Sequence, residues 1–264
     1  MNIDRSAIKA EARDRLSSAV PKPYWEGLIF VILSGIMTAL SLRSLSLKIT
    51  PEAAETYLNY ALAGSYEQAV RYLDKLRPST LESLVSFVVE VFRSIVAAGF
   101  SIFAVNTLRR RPEASLWNLL DGFSRFFPLL ILVLLSNLLL TVWFQLLIIP
   151  GILAFYRYRM AVYLFLDHPE LPPLQCILFS GGLMRGHKWE LFLLDLSFIG
   201  WHLLAALPLT VGTFLPGQAG MILGAIGSAA IYGWLVPYME LSNVGFYEVI
   251  KSNLRIEPRE PSDY

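Results

Sequence analysis

Charged side chains are scarce in this sequence. They make up 16% of its 264 residues, whereas a soluble globular chain carries about 25%. Hydrophobic residues make up 55%, and they fall in long runs, which favours a membrane protein over a soluble protein with a large core. The net charge is only +1, so composition gives no indication of a nucleic-acid partner. The single cysteine, Cys176, excludes an intramolecular disulfide.

The common catalytic and ligand-binding motifs are also absent from the sequence. It contains no glycine-rich phosphate loop, no HExxH, no CxxC and no GxSxG. Asp167, His168 and Glu170 resemble a small metal-binding cluster, but Pro169 makes this segment look like a plain turn. We therefore expect no metal, no cofactor and no enzymatic activity.

What the sequence does contain is a series of apolar runs, each close to the roughly 20 residues that cross a bilayer as a helix. They predict an all-α fold, a polytopic membrane helical bundle of about six transmembrane helices within residues 24–250. The predicted helices cover residues 24–42, 80–107, 126–149, 152–166, 189–211 and 219–239.

Two segments predict amphipathic helices at the membrane interface. In residues 1–23, Ile8, Ala12 and Leu16 recur every fourth position among charged residues. This helix either lies on the inner leaflet or is a solvated helix that only sets the topology. Residues 109–126 form the second predicted interfacial helix, with one apolar side. The residues of that side are Leu116, Leu119, Leu120 and Phe123.

The remaining segments connect the predicted helices. Residues 43–80 form a long extracytoplasmic loop, in which two short amphipathic helices are expected to break at Gly64 and Ser65. Such a loop is either functional or a cap on the outer face. Residues 174–185 are either a cytoplasmic hairpin arm or an extension of the next helix. Residues 251–264 are polar and are expected to be a disordered cytoplasmic tail.

The distribution of Lys and Arg predicts the orientation. Fourteen of the 22 fall in the N-terminal segment, in the loops after the second and fourth helices and in the tail, whereas five fall in the first loop. By the positive-inside rule, both termini are therefore cytoplasmic.

Six ionisable residues lie inside the predicted helices, where a charge costs about 2.5–3.5 kcal/mol. They are Glu90, Arg93, Arg157, Arg159, Asp195 and His202. They line a polar cavity between helices two, four and five, or they are structural ion pairs and arginines that reach the headgroups. Glu90 and Arg93 are three residues apart and can pair with each other.

The sixth helix has small residues at nearly every fourth position, a spacing that lets two helix backbones approach closely. These residues are Gly220, Gly224, Gly227 and Ser228. They predict either an internal helix–helix contact or a dimerisation surface.

Several segments of the second half are distinctive. They are LIIPGI at 147–152, YRMA at 158–161, DHP at 167–169, MRGHKW at 184–189, LSFIGW at 196–201 and LVPY at 235–238. With these segments the chain resembles an uncharacterised bacterial family of six-helix membrane proteins, domain of unknown function 975. The chain departs from that family's pattern at Pro208 and in the longer segment that follows it. The resemblance implies an integral membrane fold with six spans and implies no reaction. The expected location is the plasma membrane of a bacterium.

Together these features predict a multi-pass membrane protein with a non-enzymatic binding or organising role. Its expected partners are the lipid bilayer and a protein at the cytoplasmic face. The alternative is a transporter of a small solute or lipid that uses the buried charges.

Overall fold

The computed structural model describes residues 3–46, 50–112, 114–115, 117–215 and 217–252, and over these residues every regular element is a helix. A 3-10 turn, Gly122–Arg125, lies between the helices Asn118–Asp121 and Phe126–Leu146. The helices are α1 Arg5–Ser18, α2 Pro23–Ser46, α3 Pro51–Leu62, α4 Tyr66–Leu76, α5 Thr80–Leu108, α6 Asn118–Asp121, α7 Phe126–Leu146, α8 Ile148–Tyr158, α9 Ala161–Asp167, α10 Pro173–Leu183, α11 Lys188–Leu196, α12 Ile199–Phe214 and α13 Gly217–Lys251.

Five of the helical segments are long and apolar enough to cross a membrane, which confirms the prediction of a helical membrane bundle. They are Pro23–Ser41, Thr80–Leu108, Asn118–Leu146, Lys188–Phe214 and Gln218–Lys251. The predicted fourth helix is divided into α8 and α9, but Arg159 and Met160 between them keep helical backbone angles. Residues 148–167 therefore extend about 30 Å, which is also the length of a crossing.

The chain divides into two compact units, and the larger contains residues 1–31 and 95–264. Its core is formed by the buried residues of α9, of the second half of α5 and of the second half of α13. The largest fully buried side chains include Phe103, Phe165, Tyr238, Phe246 and Tyr247.

The N-terminal helix α1 is amphipathic, as the periodicity predicts. Asp4 caps its start by accepting hydrogen bonds from the backbone N–H groups of Ser6 and Ala7. Ile8, Ala12 and Leu16 are buried, and α1 packs on α13. Since protein covers this apolar face, it is not free to contact the inner leaflet, and α1 is not a purely solvated helix either.

Helices α12 and α13 form the most extensive helix pair in the larger unit. A side chain at Gly224 would lie 2.5 Å from the Pro208 carbonyl oxygen, and one at Gly227 would meet the Pro208 ring. The Ser228 hydroxyl accepts a hydrogen bond of 3.2 Å from the backbone N–H of Leu209. The small residues of α13 thus face α12 of the same chain, where backbone packing replaces side-chain packing.

The segment predicted as an interfacial helix over 109–126 has a different structure. Helix α6 begins at Asn118 and continues through the 3-10 turn into α7. Leu119 is buried, whereas Leu120 is 53% exposed, so these two residues of the predicted apolar side do not share one buried face. Helix α6 packs closely on α5 at Gly99. A side chain at Gly99 would lie 2.3 Å from the Leu119 carbonyl oxygen. Leu116 lies outside the described residues.

Residues 174–185, predicted as a hairpin arm or as an extension of the next helix, belong largely to helix α10. It is a separate helix that packs on α7, α8 and α9, and Gly186 with φ +86 lies in the turn before α11. The predicted disordered tail falls almost entirely outside the described residues.

The smaller unit contains residues 32–94. It includes α3 and α4, which pack on each other and are separated at Gly64, where φ is +72. The break lies where the sequence predicts it, because glycine adopts positive φ without strain.

Candidate functional site

An inner polar cluster joins three helices of the larger unit. The Ser101 hydroxyl on α5 and the Tyr163 hydroxyl on α9 both donate to Oε1 of Glu240 on α13, at 2.6 and 2.8 Å. Sequence reasoning missed Glu240 because it lies one residue beyond the predicted end of the sixth helix. The available signal was the apolar run that precedes Glu240.

Three of the predicted polar residues lie near this cluster. The Tyr156 hydroxyl on α8 donates to Oδ2 of Asp195 on α11 at 3.2 Å. Arg159 and His202 act electrostatically on Asp195, as does Glu240. The structure therefore brings together charges from the predicted fourth, fifth and sixth transmembrane helices. The sequence predicted a site formed by the second, fourth and fifth.

The other three predicted residues are not part of this arrangement. Arg157 is exposed, and its guanidinium lies 5.8 Å from the centroid of the Tyr158 ring. Its side chain lies beside Gly181, where a Cβ atom would be 2.7 Å from the Arg157 Nε. Glu90 and Arg93 belong to the smaller unit and pair with each other, with 2.9 Å between Nε and Oε2. Both are half-exposed, so this pair is local to α5.

A second cluster, the boundary ion cluster, connects the ends of α5, α9 and α13. Arg109 donates to both carboxylate oxygens of Asp167, at 2.6 and 2.9 Å. Its Nε donates to Glu248 at 2.7 Å. Asp167 also accepts hydrogen bonds from Lys251 and from the Tyr247 hydroxyl. These contacts bring the carboxyl-terminal ends of α5, α9 and α13 together.

The charges in the boundary ion cluster shift one another's protonation. Burial by itself raises the pKa of Asp167, but the hydrogen bonds from Arg109, Lys251 and Tyr247 outweigh it and hold this pKa well below the usual range of a carboxyl group. The hydrogen bond to Asp167 raises the pKa of Arg109 further above its ordinary value. Asp167 and Arg109 therefore stay ionised at neutral pH.

The three consecutive arginines at the end of α5 take different roles because of the turn that follows. The Arg111 N–H donates to the Asn106 carbonyl at 2.9 Å and the Arg110 N–H to the Thr107 carbonyl at 3.2 Å. This is the Schellman helix end, with Arg110 at φ 53 in place of the usual glycine. The turn leaves Arg109 in the boundary ion cluster and places Arg111 beside a cleft.

That cleft, the arginine cleft, has a volume of about 260 Å³ and lies between α5, the α6–α7 segment and α9. Its polar lining includes Arg109, Arg111, Arg125, Asp121 and Asp167, and its apolar lining includes Ile102, Val105, Leu129 and Phe165. Asp121 is hydrogen-bonded to the Asn118 amide at 2.5 Å. Within the described chain, Arg111 and Arg125 have no carboxylate within 4.0 Å.

The arginine cleft was missed by sequence reasoning, which assigned the basic run at 109–111 to topology alone. Asp167 and His168 were considered as metal ligands. In the structure Asp167 is engaged by Arg109, while His168 lies 3.1 Å from Glu170 at the surface. No three His, Cys, Asp or Glu side chains of the described ranges are grouped so as to hold a metal ion.

Comparison with known proteins identifies a matching family for part of the chain. Residues 140–254 match the family described as a protein of unknown function, DUF975, which confirms the resemblance over that segment. The matched part includes Asp167, Asp195 and Glu240, whereas Arg109, Arg111 and Arg125 precede it. No curated protein and no solved structure matches the chain.

Proposed function

We propose that this multi-pass membrane protein has a non-enzymatic binding role, and that its arginine cleft holds the phosphate of an anionic lipid headgroup. One observation carries the proposal: Arg111 and Arg125 line a cleft at the ends of the spans, and neither has a carboxylate of the described residues within 4.0 Å. In contrast, the neighbouring Arg109 forms ion pairs with both Asp167 and Glu248.

The chemistry of the cleft suits a phosphate with an acyl chain attached. A guanidinium group offers paired N–H donors that match phosphate oxygens. The apolar residues Leu129 and Phe165 of the lining provide a surface for the first methylenes of a chain. Basic pockets between spans on the cytoplasmic side are typical sites for anionic headgroups. The proposal therefore includes cytoplasmic termini and a bacterial plasma membrane.

The test is an equilibrium titration of the purified full-length protein with short-chain phosphatidylglycerol and, separately, with phosphatidylcholine and inorganic phosphate. Replacing both unpaired arginines, Arg111→Gln with Arg125→Gln, removes two charges worth about 1 kcal/mol each. We expect the Kd for phosphatidylglycerol to rise about 30-fold and that for phosphatidylcholine to stay constant. Tight binding of inorganic phosphate alone would identify a free anion as the ligand.

A matched control removes two exposed arginines that do not line the cleft, Arg13→Gln with Arg185→Gln. It lowers the net charge by the same amount. If this control weakens phosphatidylglycerol binding as much as the cleft variant does, binding follows the overall charge, and the headgroup site is refuted.

The transporter alternative is supported by the inner polar cluster and by Asp195 near it. Glu240 and Asp195 each accept a hydrogen bond from a tyrosine hydroxyl and form no ion pair within the described residues. It requires water to reach this cluster. In a Cys176→Ala background, single cysteines beside Arg159 and Asp195 would be tested with a small hydrophilic thiol reagent. Labelling there would support a transport path, whereas protection, with a reactive control at Ser252, would leave the binding role as the better account.

A further inference from the structure

The described chain contains one carboxyl group that is completely buried and has no partner. Glu26, in the first turn of α2, has 0% relative exposure, and neither of its carboxylate oxygens has a hydrogen-bond partner. Every carboxylate of the boundary ion cluster and inner polar cluster is bonded to a donor. Burying an ionised carboxylate without a donor or a counter-ion costs so much free energy that the group takes up a proton instead.

The surroundings of Glu26 are apolar helix crossings. Its neighbour Gly27 lies against α13, where a side chain at Gly27 would be 2.3 Å from the Gly233 carbonyl oxygen and would meet the Pro237 ring. One turn further along α2, Phe30 stacks on Phe100 of α5, with 4.7 Å between ring centroids. These contacts bury Glu26 and Gly27, whereas Tyr24 and Trp25 of the same turn are exposed.

The same crossing contains a carbonyl that has lost its ordinary partner. Pro237 lies inside α13 and has no N–H, so the carbonyl of Gly233, four residues earlier, cannot accept the usual helical hydrogen bond. A carboxylate and a carbonyl are both acceptors and cannot bond to each other. A protonated carboxyl group has an O–H donor. Protonation of Glu26 therefore supplies a hydrogen-bond donor to a crossing that otherwise contains two acceptors, the Glu26 carboxylate and the Gly233 carbonyl.

The titratable groups of the adjacent helices do not supply a counter-charge. On α13, Glu240 is bound to Ser101 and Tyr163; on α5, Arg109 is bound to Asp167 and Glu248. On α1, which packs on α13, Arg15 pairs with Glu11 and the Lys9 ammonium lies over the Phe198 ring. No charged side chain of the described residues acts on Glu26.

We propose that Glu26 is a proton-binding site, which carries its proton at neutral pH and seals the crossing of α2 with α13. Loss of the proton would leave a bare charge at this crossing, so the contact of α2 with α13 would loosen. The proposal is independent of the arginine cleft, since none of the residues lining that cleft takes part.

The test is labelling of the purified full-length protein with dicyclohexylcarbodiimide, which adds to protonated carboxyl groups in apolar surroundings. We expect an adduct on Glu26 at neutral pH, seen by peptide mass spectrometry, and no adduct at that position in Glu26→Gln. Above the midpoint of its titration, the yield should fall about tenfold for each pH unit. Glu90, which is ion-paired on the same type of apolar helix, is the matched control and should stay unlabelled.

An infrared difference spectrum between the wild type and Glu26→Gln covers the case in which the reagent cannot reach the site. A carbonyl band of a protonated carboxyl group, lost in the variant, supports the proposal even without an adduct. A carboxylate band at neutral pH overturns it. Protection from labelling by sodium or potassium ions at constant pH would also overturn it, because the ligand would then be a metal cation.

Discussion

The boundary ion cluster gives the sharpest stability prediction, and Asp167 is the residue to change. Its side chain is 8% exposed and accepts hydrogen bonds from Arg109, Lys251 and Tyr247. Asp167→Asn preserves the size but removes the negative charge that holds three helix ends together. Two cations then lose their shared partner.

Removing one partner of a buried ion pair costs about 3–5 kcal/mol. The cost here should fall at the lower end, about 3 kcal/mol, because Arg109 keeps Glu248 and Lys251 is one-third exposed and can be hydrated. At roughly 2–4 °C per kcal/mol for a chain of this size, the melting temperature should fall by about 6–12 °C.

The assay is thermal unfolding in detergent, followed by circular dichroism, with Glu90→Gln as the control. The Glu90–Arg93 pair is half-exposed and local, so its loss should cost about 1 kcal/mol or less. If Asp167→Asn melts no lower than Glu90→Gln, then the boundary ion cluster does not hold the helix ends together and the reasoning fails.

Three further predictions follow from the same structure. Because the pKa of Asp167 is lowered by folding, its contribution to the free energy of unfolding is fully present above about pH 4, the usual carboxyl value. This contribution is lost as the pH falls below that value. Wild-type stability should therefore drop more steeply on acidification than that of Asp167→Asn, as pH-dependent melting would show. Arg110→Gly should raise the free energy of unfolding by about 1 kcal/mol, because glycine accepts the positive φ of this residue; unchanged stability would argue against the helix-end geometry. Gly224→Leu should lower it by about 1–3 kcal/mol, since its side chain would collide with the Pro208 carbonyl, and a variant as stable as the wild type would place α12 and α13 further apart.

The helices were predictable from the sequence where hydrophobicity alone decides. The long apolar runs and the break at Gly64 follow from span length and from the conformational freedom of glycine. The division of the fourth helix at Arg159 was not predictable, because no proline or glycine marks it. Similarly, the face of α1 was correctly read as apolar, but periodicity cannot say whether protein or lipid covers it.

The polar clusters were less predictable, for a physical reason. A charge inside an apolar run is visible in the sequence, which is how Asp195 and Arg159 were found. The partners of a charge at a helix end are set by which ends meet, and this depends on the packing of distant segments. Arg109 and Asp167 are 58 residues apart, and nothing local to either indicates the other.

The most direct test of the binding role is native mass spectrometry of the protein purified from membranes in mild detergent. We predict that one anionic phospholipid stays bound to the wild type and to the Arg13→Gln, Arg185→Gln control, and that it is lost from the Arg111→Gln, Arg125→Gln variant. Equal retention of anionic lipid by all three proteins, or no retained lipid in the wild type, would contradict the assignment of the arginine cleft as a headgroup site.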